Sequence, residues 1–267
     1  MAHKILVTGG TGTLGHAIVT ELLKTDVESI RVFSRNEYNQ WQMSQEIKDK
    51  RVRYLIGDVR DKDRLMRAMK GIDSVIHTAA LKHVDICEYN PIEAVTNNID
   101  GSRNIVDCAL DNGVQKVLAV SSDKAVNPVN IYGATKLAME KLFIYSNVYG
   151  SKFSCVRFGN FIGSHGSFVE LIKKGGVINV TDTAMTRYWI ETQDAAKFVL
   201  DRLEDMQGGE IFVPKMKEMF LMDIVKQYVD NPQIKIVGKR KGEKMREELV
   251  NSVESAEDMG DYWVIKG

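Results

Sequence analysis

The stretch Thr8-Gly9-Gly10-Thr11-Gly12-Thr13-Leu14-Gly15 constrains this chain more than any other. It follows an apolar strand at residues 4–8 and opens a segment, 15–23, whose Ile18, Val19, Leu22 and Leu23 recur at helical spacing. A strand that turns through glycines straight into a helix exposes free N–H groups and the positive end of a helix dipole. The glycines also keep the turn tight and let a ligand approach the backbone. Together these features predict a dinucleotide pyrophosphate held by Gly9, Thr11, Gly12, Thr13 and Leu14.

The alternation continues through the first half. Apolar runs at 30–33, 52–56, 74–77, 116–120 and 153–157 predict strands. Amphipathic segments at 61–69, 91–110 and 132–149 predict helices, and Gly113 stops the second of these. Short buried strands alternating with helices imply an α/β fold: a doubly wound parallel Rossmann sheet. Ligands on such a sheet lie outside the carboxyl ends of its strands. The informative loops are therefore those after Thr8, Phe33, Ile56, His77, Val120 and Arg157. Beyond Gly159 the elements shorten and mix, with strands at 177–180, 187–190 and 211–213 and helices at 192–206 and 221–228. The expected division is residues 1–158, a dinucleotide-binding domain carrying the catalytic groups, and 159–267, a smaller C-terminal substrate-binding region packed on it with interleaved boundaries. The tail from Asn251 is acidic, then aromatic at Tyr262 and Trp263, with no signal for where it docks.

Composition narrows the partners. Lys plus Arg number 36 and Asp plus Glu number 36, so no net field attracts nucleic acid or an anionic membrane. An anionic ligand must be held by local groups. Cys87, Cys108 and Cys155 lie far apart, with no metal-ligand spacing, and read as buried thiols in a reducing compartment with no metal site. No apolar run is long enough for a bilayer, and the first strand follows the start without an apolar leader, so a cytoplasmic protein is expected.

The rest of the cofactor site follows from the strand ends. The second strand ends Phe33-Ser34-Arg35-Asn36, where a carboxylate would bind the ribose 2′-hydroxyl of NAD. A hydroxyl and a guanidinium instead suit a 2′-phosphate, so Ser34 and Arg35 favour NADP. The alternative is that Arg35 is a solvated surface arginine, and nearby Glu37 weighs for it. Asp58 and Val59 flank the adenine position, with Asp58 either accepting from the exocyclic amine or capping the next helix. Ala79 and Ala80 are small enough for a cofactor to lie against their backbone.

Tyr132 and Lys136 stand at i and i+4 on one helix face. A phenol titrates near about 10 and is a poor base at neutral pH. A neighbouring ammonium and an oxidised nicotinamide both favour phenolate, which can take a hydroxyl proton as hydride leaves the same carbon. Ser121-Ser122-Asp123-Lys124, at the end of the fifth strand, adds a second acid/base pair. Oxidising a sugar at C4 acidifies the C5 proton. A base can then remove it while an acid helps the C6 hydroxyl leave as water. A turn with an exposed ion pair is the plainer alternative for Asp123 and Lys124.

Nine stretches then identify a family resemblance: TGGTGTLG, VFSRNEYNQWQM, GDVRDKDRL, HTAALKHVDICEYNP, SSDKAVNPVNIYGATKL, RFGNFIGSHGS, MTRYWI, GGEIFVPK and GEKMREEL. They cover nearly the whole chain. It resembles the extended short-chain dehydrogenase/reductases, and within them the UDP-N-acetylglucosamine 4,6-dehydratases that invert C5. The resemblance implies Tyr132 and Lys136 as the dehydrogenase pair, Asp123 as the acid at the C6 hydroxyl and Lys124 as the base at C5. It implies hydride return from NADPH to C6, a UDP-sugar substrate and a homo-oligomer. Lys82, Asn160, Arg187 and Arg240 are then placed for the sugar nucleotide, the two arginines for its diphosphate. Each has a plainer alternative as a turn residue or surface ion-pair partner. His77, His83 and His165 read as packed or solvated.

The chain departs from the family pattern in places. Lys241 replaces a proline usual before Gly-Glu-Lys, Ser122 stands where threonine is common, and the segment from Gly166 to Val180 is short. The compact length and short tail bear on the lid and oligomer. A 4-epimerase would need the tyrosine and cofactor but not Asp123-Lys124. A C5-retaining dehydratase would carry Asp-Glu there. A non-catalytic NADP-binding sensor would have lost Tyr132 or Lys136, and both are present.

Overall fold

Strands and helices alternate through the first half of the protein as the apolar runs predict. The structure, a computed structural model, describes residues 3–163, 168–173 and 175–266. The strands are β1 (Lys4–Thr8), β2 (Ser29–Ser34), β3 (Val52–Ile56), β4 (Ser74–His77), β5 (Lys116–Ser122), β6 (Lys152–Phe158), β7 (Asn160–Ile162), β8 (Ile178–Val180), β9 (Thr186–Glu191), β10 (Glu210–Pro214), β11 (Lys217–Phe220), β12 (Ile234–Ile236), β13 (Ala256–Asp258) and β14 (Tyr262–Lys266). The α-helices are α1 (Thr13–Leu22), α2 (Glu37–Glu46), α3 (Lys62–Met69), α4 (Val84–Tyr89), α5 (Pro91–Val95), α6 (Gly101–Asp111), α7 (Ile131–Tyr145), α8 (Phe168–Lys173), α9 (Thr192–Asp205) and α10 (Leu221–Tyr228).

One nine-stranded sheet runs β13-β14-β10-β6-β5-β4-β1-β2-β3. From β10 to β3 its neighbours are parallel, and β14 and β13 close the far edge antiparallel. Successive side chains point to opposite faces. Leu6, Val75 and Val117 therefore pack under α3, α6 and α7, with Leu65, Ile105 and Met139. Ile5, Val7, Ile76 and Leu118 pack under α1 and α9, with Ile18 and Val199. The sheet is doubly wound. Chain order reverses at β1, which lies between β2 and β4, and this opens a crevice at the carboxyl ends.

The elements after residue 159 are distributed. Strand β10, the β13–β14 hairpin and α9 belong to the main layers, whereas β7, β9 and β11 form one small sheet and β8 and β12 another. A separate core of Val169, Ile178, Trp189, Leu221 and Ile224 joins these small sheets to α8 and α10. Tyr262 docks by edge contact with Phe198, and Arg202 lies 4.2 Å from its ring centroid. The chain at 249–254 is fixed by Arg157, which is fully buried on β6 and bonds Glu140, Glu254 and the Leu249 carbonyl.

The long helix expected at 91–110 is interrupted. Residues 96–100 form a π-helical turn between α5 and α6. This widening buries Asn98, whose side chain bonds both the N–H and the carbonyl of Leu81 and the Thr135 hydroxyl. It fastens the loop after β4 to α7. Helix α2 carries only Gln40 and Met43 as buried residues, so no apolar stripe announces it.

Candidate active site

The glycine turn after β1 is built by close approach. Gly9 has φ +67°, and a side chain there would lie 2.7 Å from Ala79 N and Thr78 Oγ1. A side chain on Gly15 would overlap the Gly9 carbonyl and Gly10 Cα. Gly12 caps α1 without a side chain, and its N–H donates to the Gly9 carbonyl at 2.8 Å. The positive end of α1 is thus open to an anion.

A cleft of about 600 Å³ runs from this turn across the carboxyl ends of the strands. Gly9, Thr11, Gly12, Thr13, Leu14, Ser34, Arg35, Asp58, Val59, Ala79, Ala80, Tyr132 and Lys136 all line it, as do Lys82, Lys124 and Asn160. Asp123, Arg187 and Arg240 are not part of its lining. Among the described residues, the Ser121 hydroxyl and the Trp189 indole N–H are buried without a partner, and both residues border this cleft. Orphan polar groups of this kind fit a polar ligand. The elongated cleft, the bare helix terminus and the orphan donors suit a dinucleotide.

At the far end, Gln40 Nε2 donates to Ser34 Oγ at 2.9 Å, which leaves the serine hydrogen free to donate outward. Arg35 is half exposed, with its guanidinium 3.6 Å from Asp58. Arg60 bonds Asp58 at 2.8 Å and Glu93 at 2.8 Å. Burial opposes the Asp58 charge, but Arg60 and Arg35 outweigh it and hold the carboxyl below its usual range.

At the reactive end, Asn130 caps α7 by accepting from the Gly133 N–H at 2.8 Å. A side chain on Gly133 would overlap the Lys124 carbonyl, so glycine lets α7 start directly against residues 123–125. Tyr132 is thereby brought beside Ser122, Asp123 and Lys124. Its side chain is largely buried and borders the cleft. Burial pushes the phenol up, while Lys124 and a hydrogen bond with Ser122 pull it down without fully offsetting burial. The Lys136 ammonium bonds the Val120 carbonyl at 2.7 Å, and burial lowers its pKa to about 8. Lys124 thus adds a second cation near Tyr132, beside the Lys136 that sequence spacing pointed to.

Asp123 is fully buried. Its Oδ1 accepts from Ser122 Oγ at 2.8 Å and from Lys124 Nζ at 3.1 Å. Its Oδ2 has no partner among the described residues. The exposed ion pair considered from sequence is in fact a part-buried one, with only Lys124 reaching the cleft. Lys124 also lies 3.8 Å from Glu247. Burial lowers the Lys124 pKa, but Asp123 and Glu247 more than reverse it. Two carboxylates therefore favour its ammonium form at rest.

Arg187 is buried, bonding the Thr186 carbonyl at 2.7 Å and pairing with Glu243 at 3.5 Å. Arg240 is exposed and 3.6 Å from Asp85. Asn160 borders the cleft on β7, in register with Trp189. His77 is buried between Thr8 and Ser102, and its pKa falls to about 3 through burial and Lys136, so it is a packed neutral ring. His83 caps α4 at the cleft mouth, and His165 lies outside the described residues. Sequence reasoning missed Ser121, Asn97, Phe161, Trp189 and Glu247. Trp189 was detectable within MTRYWI by strand alternation with Arg187, whereas nothing separated Glu247 from the charges around it.

No helix among the described residues is long and apolar enough to cross a membrane, and none of their His, Cys, Asp and Glu groups clusters for a metal. Residues 5–266 match the family described as polysaccharide biosynthesis protein. A UDP-N-acetylglucosamine 4,6-dehydratase (inverting) of Campylobacter jejuni is 46% identical, over 94% of this chain and 78% of its own length. A UDP-glucose 4-epimerase of Rickettsia conorii is 38% identical, over 98% and 82%. The solved structure of Pen from Bacillus thuringiensis superposes with a TM-score of 0.95 at 40% identity, covering 99% of this chain and 89% of that one. The dTDP-glucose 4,6-dehydratase DesIV of Streptomyces venezuelae, solved with NAD bound, gives a TM-score of 0.85 at 26% identity, covering 92% and 88%. With its glycine turn, its cleft for a nicotinamide dinucleotide and its Tyr132–Asp123–Lys124 centre, the chain belongs to the polysaccharide biosynthesis protein family and, within it, to the group of the C5-inverting 4,6-dehydratases.

Proposed function

We propose that the protein dehydrates a UDP-N-acetyl-hexosamine, UDP-N-acetylglucosamine first among candidates, to a 4-keto-6-deoxy sugar nucleotide with inversion at C5. The observation that carries this reading is the contact between Lys124, at the cleft, and the fully buried Asp123 beside Tyr132, at the carboxyl end of β5. NADP supplies the site that takes hydride from C4 and returns it to C6. Ser34 and Arg35 favour its 2′-phosphate, one with a free hydroxyl hydrogen and the other with a guanidinium.

Tyr132 would accept the C4 hydroxyl proton as phenolate, a form that Lys124 and a bound oxidised nicotinamide both favour. Lys136, anchored on the Val120 carbonyl, is placed to hold the cofactor. The C5 proton then goes to Lys124, and Asp123 protonates the departing C6 hydroxyl. At rest the pair shares one proton on nitrogen. Moving it across 3.1 Å gives a neutral amine and a carboxylic acid, the base and the acid that water loss requires, with no change in net charge. Lys82 and Asn160 border the cleft near this centre and are assigned to the sugar nucleotide. Arg187 and Arg240 are assigned to its diphosphate from outside the lining.

Similarity to an epimerase supports a second reading, C4 epimerisation. An epimerase has no use for a part-buried acid/base pair beside its tyrosine, and this weighs for dehydration. Incubation with a panel of UDP- and dTDP-sugars, followed by mass spectrometry, separates the two. Dehydration removes the mass of one water, and epimerisation leaves mass unchanged. A panel with no loss of water overturns the proposal.

A further inference from the structure

Behind Lys124 lies a carboxylate that the proposed reaction does not use. Glu247 is 3% exposed, although it sits in the strongly charged run Lys239-Arg240-Lys241-Gly242-Glu243-Lys244-Met245-Arg246-Glu247-Glu248. Its Oε1 stands 3.8 Å from Lys124 Nζ, and its Oε2 stands 3.6 Å from Lys244 Nζ. Oε2 accepts no hydrogen bond among the described residues. Burying a carboxylate this way is unfavourable, so the surrounding chain must hold it there.

Four ties do so. Asn130 Nδ2 donates to the Gly242 carbonyl at 2.8 Å, and Lys244 Nζ donates to the Val126 carbonyl at 2.6 Å. Asn127 Nδ2 donates to Glu248 at 2.8 Å, and Arg157 donates to the Leu249 carbonyl at 2.8 Å. Three of these run to residues 126–130, directly after the turn that carries Asp123 and Lys124. The segment is laced to the catalytic loop on both sides of Glu247.

We propose that Glu247 is a positioning residue for the base: it holds the Lys124 side chain between two carboxylates, its own and that of Asp123, and so fixes where the nitrogen lies and the charge it carries at rest. The inference rests on the dehydratase reading above. The charged and titratable groups facing Lys124 are Asp123, Glu247, Arg187 and Tyr132. Two anions against one cation favour ammonium. Glu247→Gln removes one anion, so Lys124 gives up its proton at lower pH.

The test is the pH profile of kcat for water loss from UDP-N-acetylglucosamine by the NADP-loaded enzyme. In Glu247→Gln the descending limb, where the Asp123–Lys124 pair loses its shared proton to solvent, moves to lower pH by about one unit or more, as expected for removing a unit charge at this separation, and KM changes little. Glu247→Asp moves it the same way by less. A profile that keeps its wild-type position, with kcat unchanged or lowered equally at all pH, overturns the proposal. If Glu247→Gln does not retain NADP, Glu247→Asp decides alone, and an unshifted limb overturns it. If the wild-type enzyme removes no water, the dehydratase reading falls and this inference falls with it. If wild type is active and the variants superpose on it, only this inference falls.

Discussion

Asp123→Asn separates the two chemical stages with little disturbance to the fold. The residue is fully buried, and asparagine has nearly the same volume, so no cavity forms. Its Oδ1 can still accept from Ser122 and Lys124, now at 2.8 and 3.1 Å. The new Nδ2 would stand where Oδ2 now accepts no hydrogen bond among the described residues. What disappears is the proton carrier at the C6 hydroxyl. Losing a positioned general acid slows its step by about 10²–10⁴-fold, or about 2.7–5.4 kcal/mol of barrier at about 1.36 kcal/mol per factor of ten. Tyr132 and Lys136 are untouched, so C4 oxidation continues. Stopped-flow absorbance of the reduced nicotinamide is expected to rise and persist, while mass spectrometry finds little product lacking water. Dehydration at the wild-type rate would reduce Asp123 to a buried structural partner of Lys124 and refute the assignment.

Four further outcomes are expected. Tyr132→Phe abolishes even the transient reduced nicotinamide, since the C4 proton has no acceptor; a normal transient in this variant removes Tyr132 from the mechanism. Arg35→Asp weakens NADP binding by about 1.5–3 kcal/mol through loss of a charge-assisted contact, measured by calorimetry, and an unchanged affinity, or NAD recovered from the denatured protein, rejects the 2′-phosphate site. Arg157→Leu leaves the buried Glu140 unpaired and destabilises the fold by about 3–5 kcal/mol, read as a lower midpoint in urea. Glu254, on the same arginine, has a lowered pKa although burial opposes its charge, because Arg157 outweighs burial. Its stabilisation is therefore complete above the usual carboxylate range and is lost as pH falls through the lowered folded value. A urea midpoint insensitive to acid in that range contradicts this.

The parts legible in the sequence were those fixed by local geometry. Gly9 and Gly15 can be read because a turn this tight tolerates no side chain there, and Tyr132 with Lys136 because helical spacing alone puts them on one face. Helix α10 is found at its predicted bounds because its apolar face is complete. The rest depended on partners distant in sequence. The π turn at 96–100 is set by Asn98 reaching Leu81 and Thr135. Helix α2 buries too little to show periodicity. The tail docks through β10 and Arg157, neither of which resembles it. Glu247, more than a hundred residues away in the chain, adds to Asp123 in holding charge on Lys124, and no spacing rule connects them.

The configuration at C5 tests the central claim most directly. Once the C5 proton is on Lys124, the sugar is a flat 4-keto-5,6-ene that either face can reprotonate. Proton NMR of freshly made product in heavy water reports both the configuration and the isotope at C5. The account predicts an inverted C5 carrying deuterium, because the proton delivered to the face opposite Lys124 comes from solvent-exchangeable positions and not from the starting sugar, and it predicts no such product from Lys124→Ala with NADP still bound. A C5 configuration matching the starting sugar at early times, or the same product from Lys124→Ala, would contradict it.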